Sequence, residues 1–206
     1  MCKNQITVNM GFTEEQFPAG THMCLIYSKE EERKKIISKF LEGGISSDEK
    51  VAYFAVEMSP EQVKTWLREM GVEMPAEDKN GSFNVSSTAD TYYPDGTFKP
   101  EAMLDNLKTF YKGAKTEGYS ASRVSGEMSW ALKGMPGSNR LMEYEAKVND
   151  VLAEYPVTAI CQYDANKFDG ATILQCLKVH PYMIVHGQIV RNPYYMKPGD
   201  FLKEQT

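Results

Sequence analysis

Short apolar runs alternate along this chain with longer stretches whose apolar residues recur at helical spacing, and that alternation restricts the fold more than any other feature. Residues 23–27, 50–56, 82–87, 121–130, 157–163 and 182–190 read as strands. Between them, Ile36, Ile37, Phe40 and Leu41 share one helical face, Val63, Trp66, Leu67 and Met70 a second, and Met103, Leu104, Leu107, Phe110 and Tyr111 a third. Leu141, Tyr144, Val148 and Leu152 mark a fourth helix opened by Ser138, and a fifth covers about 169–179. A strand-helix-strand series requires right-handed crossovers. The expected class is therefore α/β: a three-layer sandwich with a mainly parallel central sheet of about six strands and helices on both faces. Punctuation agrees with this reading. Ser28 with Glu31, and Ser59-Pro60-Glu61-Gln62, have the form of capping boxes, Gly43-Gly44 and Gly71 mark helix ends, Tyr92 to Gly96 is a turn, and the tail at 192–199 is extended.

With 206 residues, 42% of them hydrophobic, the chain suits one domain, with residues 1–19 as an N-terminal extension. The net charge of −5, with no basic stripe, speaks against direct nucleic-acid binding. The mixed charges from Lys29 to Lys35 read as a solvated helix face. Neither a signal peptide nor an apolar span is present, so no membrane association and a cytoplasmic location are expected. Cys2, Cys24, Cys161 and Cys176 are widely spaced and form no C-x-x-C pair, which fits reduced thiols.

In an α/β sheet the first strand-to-helix connection is where a phosphate-binding G-x-x-x-x-G-K-[ST] loop would stand. Here it reads Tyr27-Ser28-Lys29-Glu30-Glu31-Glu32. Glutamates suit a helix N-terminus but repel phosphate, and no glycine lets the backbone approach, so neither ATP binding nor any other cofactor is expected. Ligands of such sheets bind beyond the carboxyl ends of the strands, which points to Tyr27, to Glu127 through Trp130, and to Tyr163 and Asp164. Arg123, Ser125 and Glu127 alternate onto one face of a strand that should be interior. They form either an internal ion pair or edge strand, or the polar floor of a pocket. Glu145 lies on the apolar side of the fourth helix, with Asn149 at its margin, and is expected to pair with Arg123. A network of Arg123, Glu127 and Glu145 beneath Trp130 and Tyr144 would then clamp a small polar or cationic ligand.

His22 and Cys24 share a strand face, and Cys176 and His180 stand at i and i+4 of a helix. These pairs are expected to be buried without stoichiometric metal, a His22, Cys24, Cys176, His180 site being the alternative.

Six blocks in order, Gly20-Thr21-His22-Met23-Cys24-Leu25-Ile26-Tyr27, Gly126-Glu127-Met128-Ser129-Trp130-Ala131-Leu132, Tyr144-Glu145 with Asn149, Cys161-Gln162-Tyr163-Asp164, His180-Pro181 and Asn192-Pro193-Tyr194-Tyr195, resemble the MEDS family, the methanogen/methylotroph DcmR sensory domain. The resemblance spans roughly residues 20–202, so 20–206 would form a single domain of this kind. It implies a degenerate relative of the RecA and KaiC ATPases, with the strand at 157–163 lying between those at 23–27 and 121–130. It also implies a sensor of simple hydrocarbon derivatives such as halogenated or methylated one-carbon compounds, with His22 and His180 gathering at the opposite, amino ends of their strands. No output domain is expected within these residues, so the signal would pass to a kinase, a regulator or a second copy of itself. An enzyme acting on a C1 or thiol substrate through Glu127 as base and Cys161 as nucleophile, and a metal- or redox-responsive regulator using His22, His180 and the cysteines, are the competing readings. The sensor is taken as not an enzyme.

Overall fold

The structure, a computed structural model, describes residues 6–75 and 81–205; Cys2 and the first residues of the N-terminal extension lie outside them. A hairpin of β1 (Thr7–Asn9) and β2 (Gln16–Pro18) leads into β3 (His22–Tyr27) and α1 (Glu30–Ser46), followed by β4 (Lys50–Ala55), α2 (Pro60–Glu69) and β5 (Phe83–Ser87). Next come α3 (Thr88–Tyr92), α4 (Pro100–Thr116), β6 (Ser122–Glu127), α5 (Leu141–Glu154), β7 (Val157–Asp164) and α6 (Gly170–Val179). The chain closes with β8 (Tyr182–Val185), β9 (Gln188–Arg191) and α7 (Pro198–Glu204).

Seven strands form the main sheet in the order β5-β4-β6-β7-β3-β8-β9, parallel except for β9. β7 thus lies between β3 and β6, as the family resemblance implies. Alternation along each strand divides the core. Val51, Tyr53, Ala55, Met23, Leu25 and Ile160 pack with α1 and α2, whereas Ala52, Phe54, Cys24, Ala159, Cys161 and Tyr163 face α4, α5 and α6. Each fully buried side chain such as Ile37, Phe40 or Leu41 contributes about 1.5–3 kcal/mol, so the two layers hold the sheet from both sides. The hairpin before Gly20 adds to this core by burying Val8 and Met10 against the α1 layer.

Several elements differ from the sequence expectation for local reasons. The strand expected over 121–130 stops at Glu127 and turns into a 3-10 segment, Met128–Lys133. The strand expected over 182–190 is a hairpin, because His186 (φ 48°) and Gly187 (φ 73°) both adopt the left-handed conformation of a tight two-residue turn. Helix α1 begins after Lys29 without a side-chain cap, so Ser28 does not form the expected box, whereas the Ser59–Gln62 box is present. Gly43 and Gly44 lie inside α1, where a Cβ on Gly44 would sit 2.6 Å from Arg123 Nε. Gly44 is glycine because Arg123 packs there, and Gly43 because a Cβ would lie 2.5 Å from Asn9 Oδ1. The tail ends in α7, opened by Pro198. Among the described residues no helix is long and apolar enough to cross a membrane.

Candidate functional site

At the carboxyl edge of the sheet, where the ligand was expected, the charged side chains are paired with one another. Only Ser28 and Lys29 join β3 to α1, and Arg33 sits one turn into the helix, 3% exposed. Its Nη1 donates to Tyr53 Oη at 2.8 Å, Gln162 Oε1 at 3.0 Å and Glu127 Oε1 at 3.2 Å, while Nε donates to Glu30 Oε2 at 2.8 Å. Glu127 also accepts from the Tyr53 hydroxyl at 2.6 Å and the Val56 amide at 3.1 Å. Gln162 passes the chain on to Ser125, whose hydroxyl donates to the Ile160 carbonyl. Trp66 and the half-buried Tyr27 flank the guanidinium, their ring centroids 5.5 and 5.7 Å from its carbon. Burial, reinforced by Glu127, pushes the Tyr53 phenol well up, so it remains a donor. This is a satisfied internal ion pair. Arg33 corrects the reading of Lys29 to Lys35 as a wholly solvated face: it precedes Ile36, Ile37 and Phe40 by three, four and seven positions, so helical periodicity turns it inward.

Arg123 does not join Glu127 and Glu145, which corrects the expected network. It is fully buried and paired with Glu49, donating through Nε at 2.7 Å and also through Nη2. It further donates to the Phe40 carbonyl at 2.6 Å and the Asn9 carbonyl at 2.9 Å. The physical reason is the sheet. Arg123, Ser125 and Glu127 do share the α1 side of β6, yet Arg123 and Glu127 stand at opposite ends of that strand, and α5 carries Glu145 on the other side.

Glu145 instead meets both buried histidines. Its Oε2 lies 3.3 Å from His22 Nε2, 3.5 Å from His180 Nε2 and 3.4 Å from Cys161 Sγ, and Cys161 Sγ lies 3.4 Å from His22 Nε2. Its Oε1 accepts from the Tyr163 hydroxyl at 2.8 Å. All five side chains are buried. His22 and Cys161 arrive from neighbouring strands in register, Glu145 from the sheetward face of α5, and His180 from the end of α6. The two imidazoles stand 4.3 Å apart, centroid to centroid. His22 and His180 therefore gather as the resemblance implies, and Glu145 and Cys161 join them. Cys24 and Cys176 form a second group that shares His180, the donor atoms in each group lying within 4.8 Å of one another.

The hydrogen bonds fix the ring orientations. The Asn149 amide nitrogen donates to the carbonyls of Val179, Ala146 and Glu145, so its Oδ1 faces His22 Nδ1 at 3.1 Å and must accept. His180 Nδ1 donates to the Cys176 carbonyl at 2.8 Å. Burial lowers His22 below the usual imidazole value, and His180 lowers it further against the pull of Glu145. Burial also opposes charge on His180, yet Cys24 and Glu145 raise it to about 9. Glu145, despite the burial penalty, is held well below the usual carboxylate range by His180 and His22, while burial and Glu145 push the Cys161 thiol up.

A cleft of about 980 Å³ opens at the amino edge of the sheet, lined among others by Gly20, His22, Tyr111, Asn149, Leu152 and Tyr182. Gly20 (φ 89°) is required there, since a Cβ would lie 2.8 Å from the Leu152 carbonyl oxygen. The other expected ligand residues are dispersed. Trp130 is fully buried in an aromatic cluster, stacked 4.9 Å from Tyr92, and Tyr144 meets Tyr92 edge-on at 6.1 Å. Asp164 accepts from the Asn166 amide in the turn after β7. Arg33, Glu49 and Tyr92 were missed by sequence reasoning; the first had a periodicity signal, and the other two had none.

The sequence model of the MEDS family, described as the methanogen/methylotroph, DcmR sensory domain, matches residues 21–181. The transcriptional repressor DcmR of Methylorubrum extorquens (strain DSM 6343 / CIP 106787 / DM4) is 27% identical over 160 residues, 77% of this chain and 57% of the repressor. The chain thus spans just over half the length of that relative. Among solved structures, a KaiC-like protein of Pyrococcus horikoshii OT3 superposes with a TM-score of 0.64 at 19% identity, covering 88% of this chain and 80% of the other. The flagellar accessory protein FlaH of Methanocaldococcus jannaschii gives 0.59 at 12% identity, covering 90% and 84%. These two likenesses establish a KaiC/RecA-type fold. The family match, extending over most of the sequence on such a fold, shows that the chain belongs to the MEDS family of sensory domains.

Proposed function

We propose that this sensory domain takes a small organic molecule into the amino-edge cleft and passes the resulting change to a partner protein. The link between cleft and core carries the reading. His22 and Asn149 both line the cleft, are bonded to each other, and connect directly to Glu145, Cys161 and His180. A molecule pressing on His22 therefore perturbs a buried polar cluster that spans two strands and two helices. The cleft volume of about 980 Å³ suits a small-molecule site. Its walls combine Tyr111, Tyr182 and Tyr195 with Lys115, which favours a compact molecule with an apolar body and one polar end. Methanol, methylated amines and methylated thiols, within the class the family resemblance implies, have that form. Likeness to a transcriptional repressor supports a regulatory output, received by a kinase, a regulator or a second copy.

The domain acts without catalysis in this account. Glu127 and Cys161 lie on opposite faces of the sheet, so they do not serve one substrate. Cys161, His22 and Asn149 do follow the thiol-imidazole-amide order of some hydrolases. Burial and Glu145 hold that thiol protonated and unreactive.

Thermal unfolding in the presence of methanol, methylated amines, methylated thiols and dichloromethane tests the reading. At least one of them should raise the melting temperature, and Ala153→Trp, which fills the cleft from an exposed position on α5, should remove the rise. Flat melting temperatures across the whole series would contradict it.

A further inference from the structure

His22 Nε2, His180 Nε2, Glu145 Oε2 and Cys161 Sγ converge between β3, α5, β7 and the end of α6. Each ring has already committed its other nitrogen: His22 Nδ1–H to Asn149 Oδ1 and His180 Nδ1–H to the Cys176 carbonyl. Both Nε2 atoms therefore face the same carboxylate oxygen, where in the metal-free protein a proton on His180 Nε2 supplies the positive charge. A divalent cation that displaces this proton would meet two Nε2 lone pairs and the carboxylate together. His180 Nε2 is fully buried and has no hydrogen-bond partner. The second oxygen of Glu145 is engaged by the Tyr163 hydroxyl, so Oε2 alone turns toward the imidazoles and the thiol.

We propose that His22, Glu145, Cys161 and His180 form a tetrahedral site for one zinc-class divalent cation. The separations fit. With Zn–N and Zn–O near 2.0–2.1 Å and Zn–S near 2.3 Å, the edges of a tetrahedron are about 3.3–3.6 Å. Four donor-donor distances here are 3.3, 3.4, 3.4 and 3.5 Å, and all donors lie within 4.8 Å of one another. Charge balances as well: binding releases the Cys161 thiol proton to solvent, together with any proton on His180, and the dication meets one carboxylate and one thiolate. Asn149, the Cys176 carbonyl and Tyr163 supply the outer hydrogen bonds that orient ligating imidazoles and carboxylates in zinc sites. A mixed nitrogen, sulfur and oxygen donor set favours zinc or a similar transition ion over calcium or magnesium. The neighbouring Cys24, Cys176, His180 group is the poorer site, because the His180 nitrogen nearest Cys176 Sγ, at 3.6 Å, is the one donating to the Cys176 carbonyl.

Cobalt(II) in place of zinc makes the test spectroscopic. In a Cys2→Ser background, which removes the thiol outside the described residues, Co2+ titration should saturate at one equivalent per chain. Intense visible bands of tetrahedral cobalt and a near-ultraviolet thiolate-to-cobalt charge-transfer band should appear, and Zn2+ should displace them. Metal at a hundredfold over its Kd should raise the melting temperature by roughly 5–10 °C. Cys161→Ser should abolish the charge-transfer band and weaken binding at least tenfold, and Asn149→Ala should weaken it roughly 10–100-fold with the band retained. Substoichiometric binding or a weak octahedral spectrum would overturn the proposal without any variant, so a Cys161→Ser chain that fails to fold leaves the test intact. A band that survives Cys161→Ser but vanishes in Cys24→Ser would overturn it in favour of the neighbouring thiols. The probe is the metal alone, so failure here leaves ligand sensing in the cleft standing, and a cleft that ignores organic molecules leaves the metal site standing.

Discussion

The two edges of the sheet both carry buried charge, but they use it differently. At the carboxyl edge Arg33 meets Glu30, Glu127, Tyr53 and Gln162, and Glu127 has further donors in Tyr53 and Val56. At the amino edge His180 Nε2 has no hydrogen-bond partner, and the cluster around it adjoins a cleft. KaiC/RecA-like sheets offer ligands their carboxyl edge, and here an internal ion pair of Arg33 and Glu127 lies at that edge. Burying charge is favourable only when groups find partners, so the Arg33 network serves the framework, whereas the His180 nitrogen, which meets only Glu145 Oε2 at 3.5 Å beside a cleft, is where we propose that something else binds. The proposed binding edge is accordingly the opposite end of the strands.

Breaking the framework should give the largest effects. Arg123→Ala strands Glu49 in the core and should lower stability by about 3–5 kcal/mol, read as a shift of the urea midpoint at constant slope. Arg33→Ala should cost a similar amount by releasing Glu127 and Tyr53. If either variant stays folded at low temperature, its response to cleft ligands should persist, whereas loss of response in a folded Arg33→Ala chain would argue for a functional carboxyl edge. Glu127→Gln keeps the shape and removes one charge, at about 1–3 kcal/mol, again with ligand response intact. Glu145→Gln should have a comparable effect on stability but should remove the ligand-induced rise in melting temperature. The smallest stability effect is expected for Ala153→Trp, within about 0.5 kcal/mol, with the response nevertheless lost. Emission should sharpen the contrast: Trp130, which stacks on Tyr92, itself edge-on to Tyr144 of α5, should respond to ligand, while Trp66 beside Arg33 should not.

Much of the fold was legible because strand and helix periodicities are local. The order of elements, the parallel sheet and the shared face of Arg123, Ser125 and Glu127 all follow from spacing along single segments. What failed depended on the third dimension. Pairing Arg123 with Glu145 requires knowing on which side of the sheet α5 packs, and no spacing within β6 or α5 carries that information. Glu49, the true partner of Arg123, immediately precedes β4 and has no pattern around it. Conversely, His22 and Cys161 are far apart in sequence, yet their meeting could be read once β7 was placed beside β3, because His22 faces Ala159 in register and Cys161 is two residues further along the same face. Gly43-Gly44 looked like a helix end because glycine usually marks one, whereas here the pair makes room for the Asn9 and Arg123 side chains.

Amide chemical-shift mapping by NMR tests the central claim most directly, since it locates binding without disturbing either edge. The isotope-labelled chain would be titrated with whichever of methanol, methylamines, methylated thiols or dichloromethane raises its melting temperature. The account predicts perturbations centred on Gly20, Thr21, His22, Asn149, Leu152 and Tyr182, which line the amino-edge cleft. Perturbations centred instead on Tyr27, Arg33, Val56 and Glu127 would contradict it and return the site to the carboxyl edge.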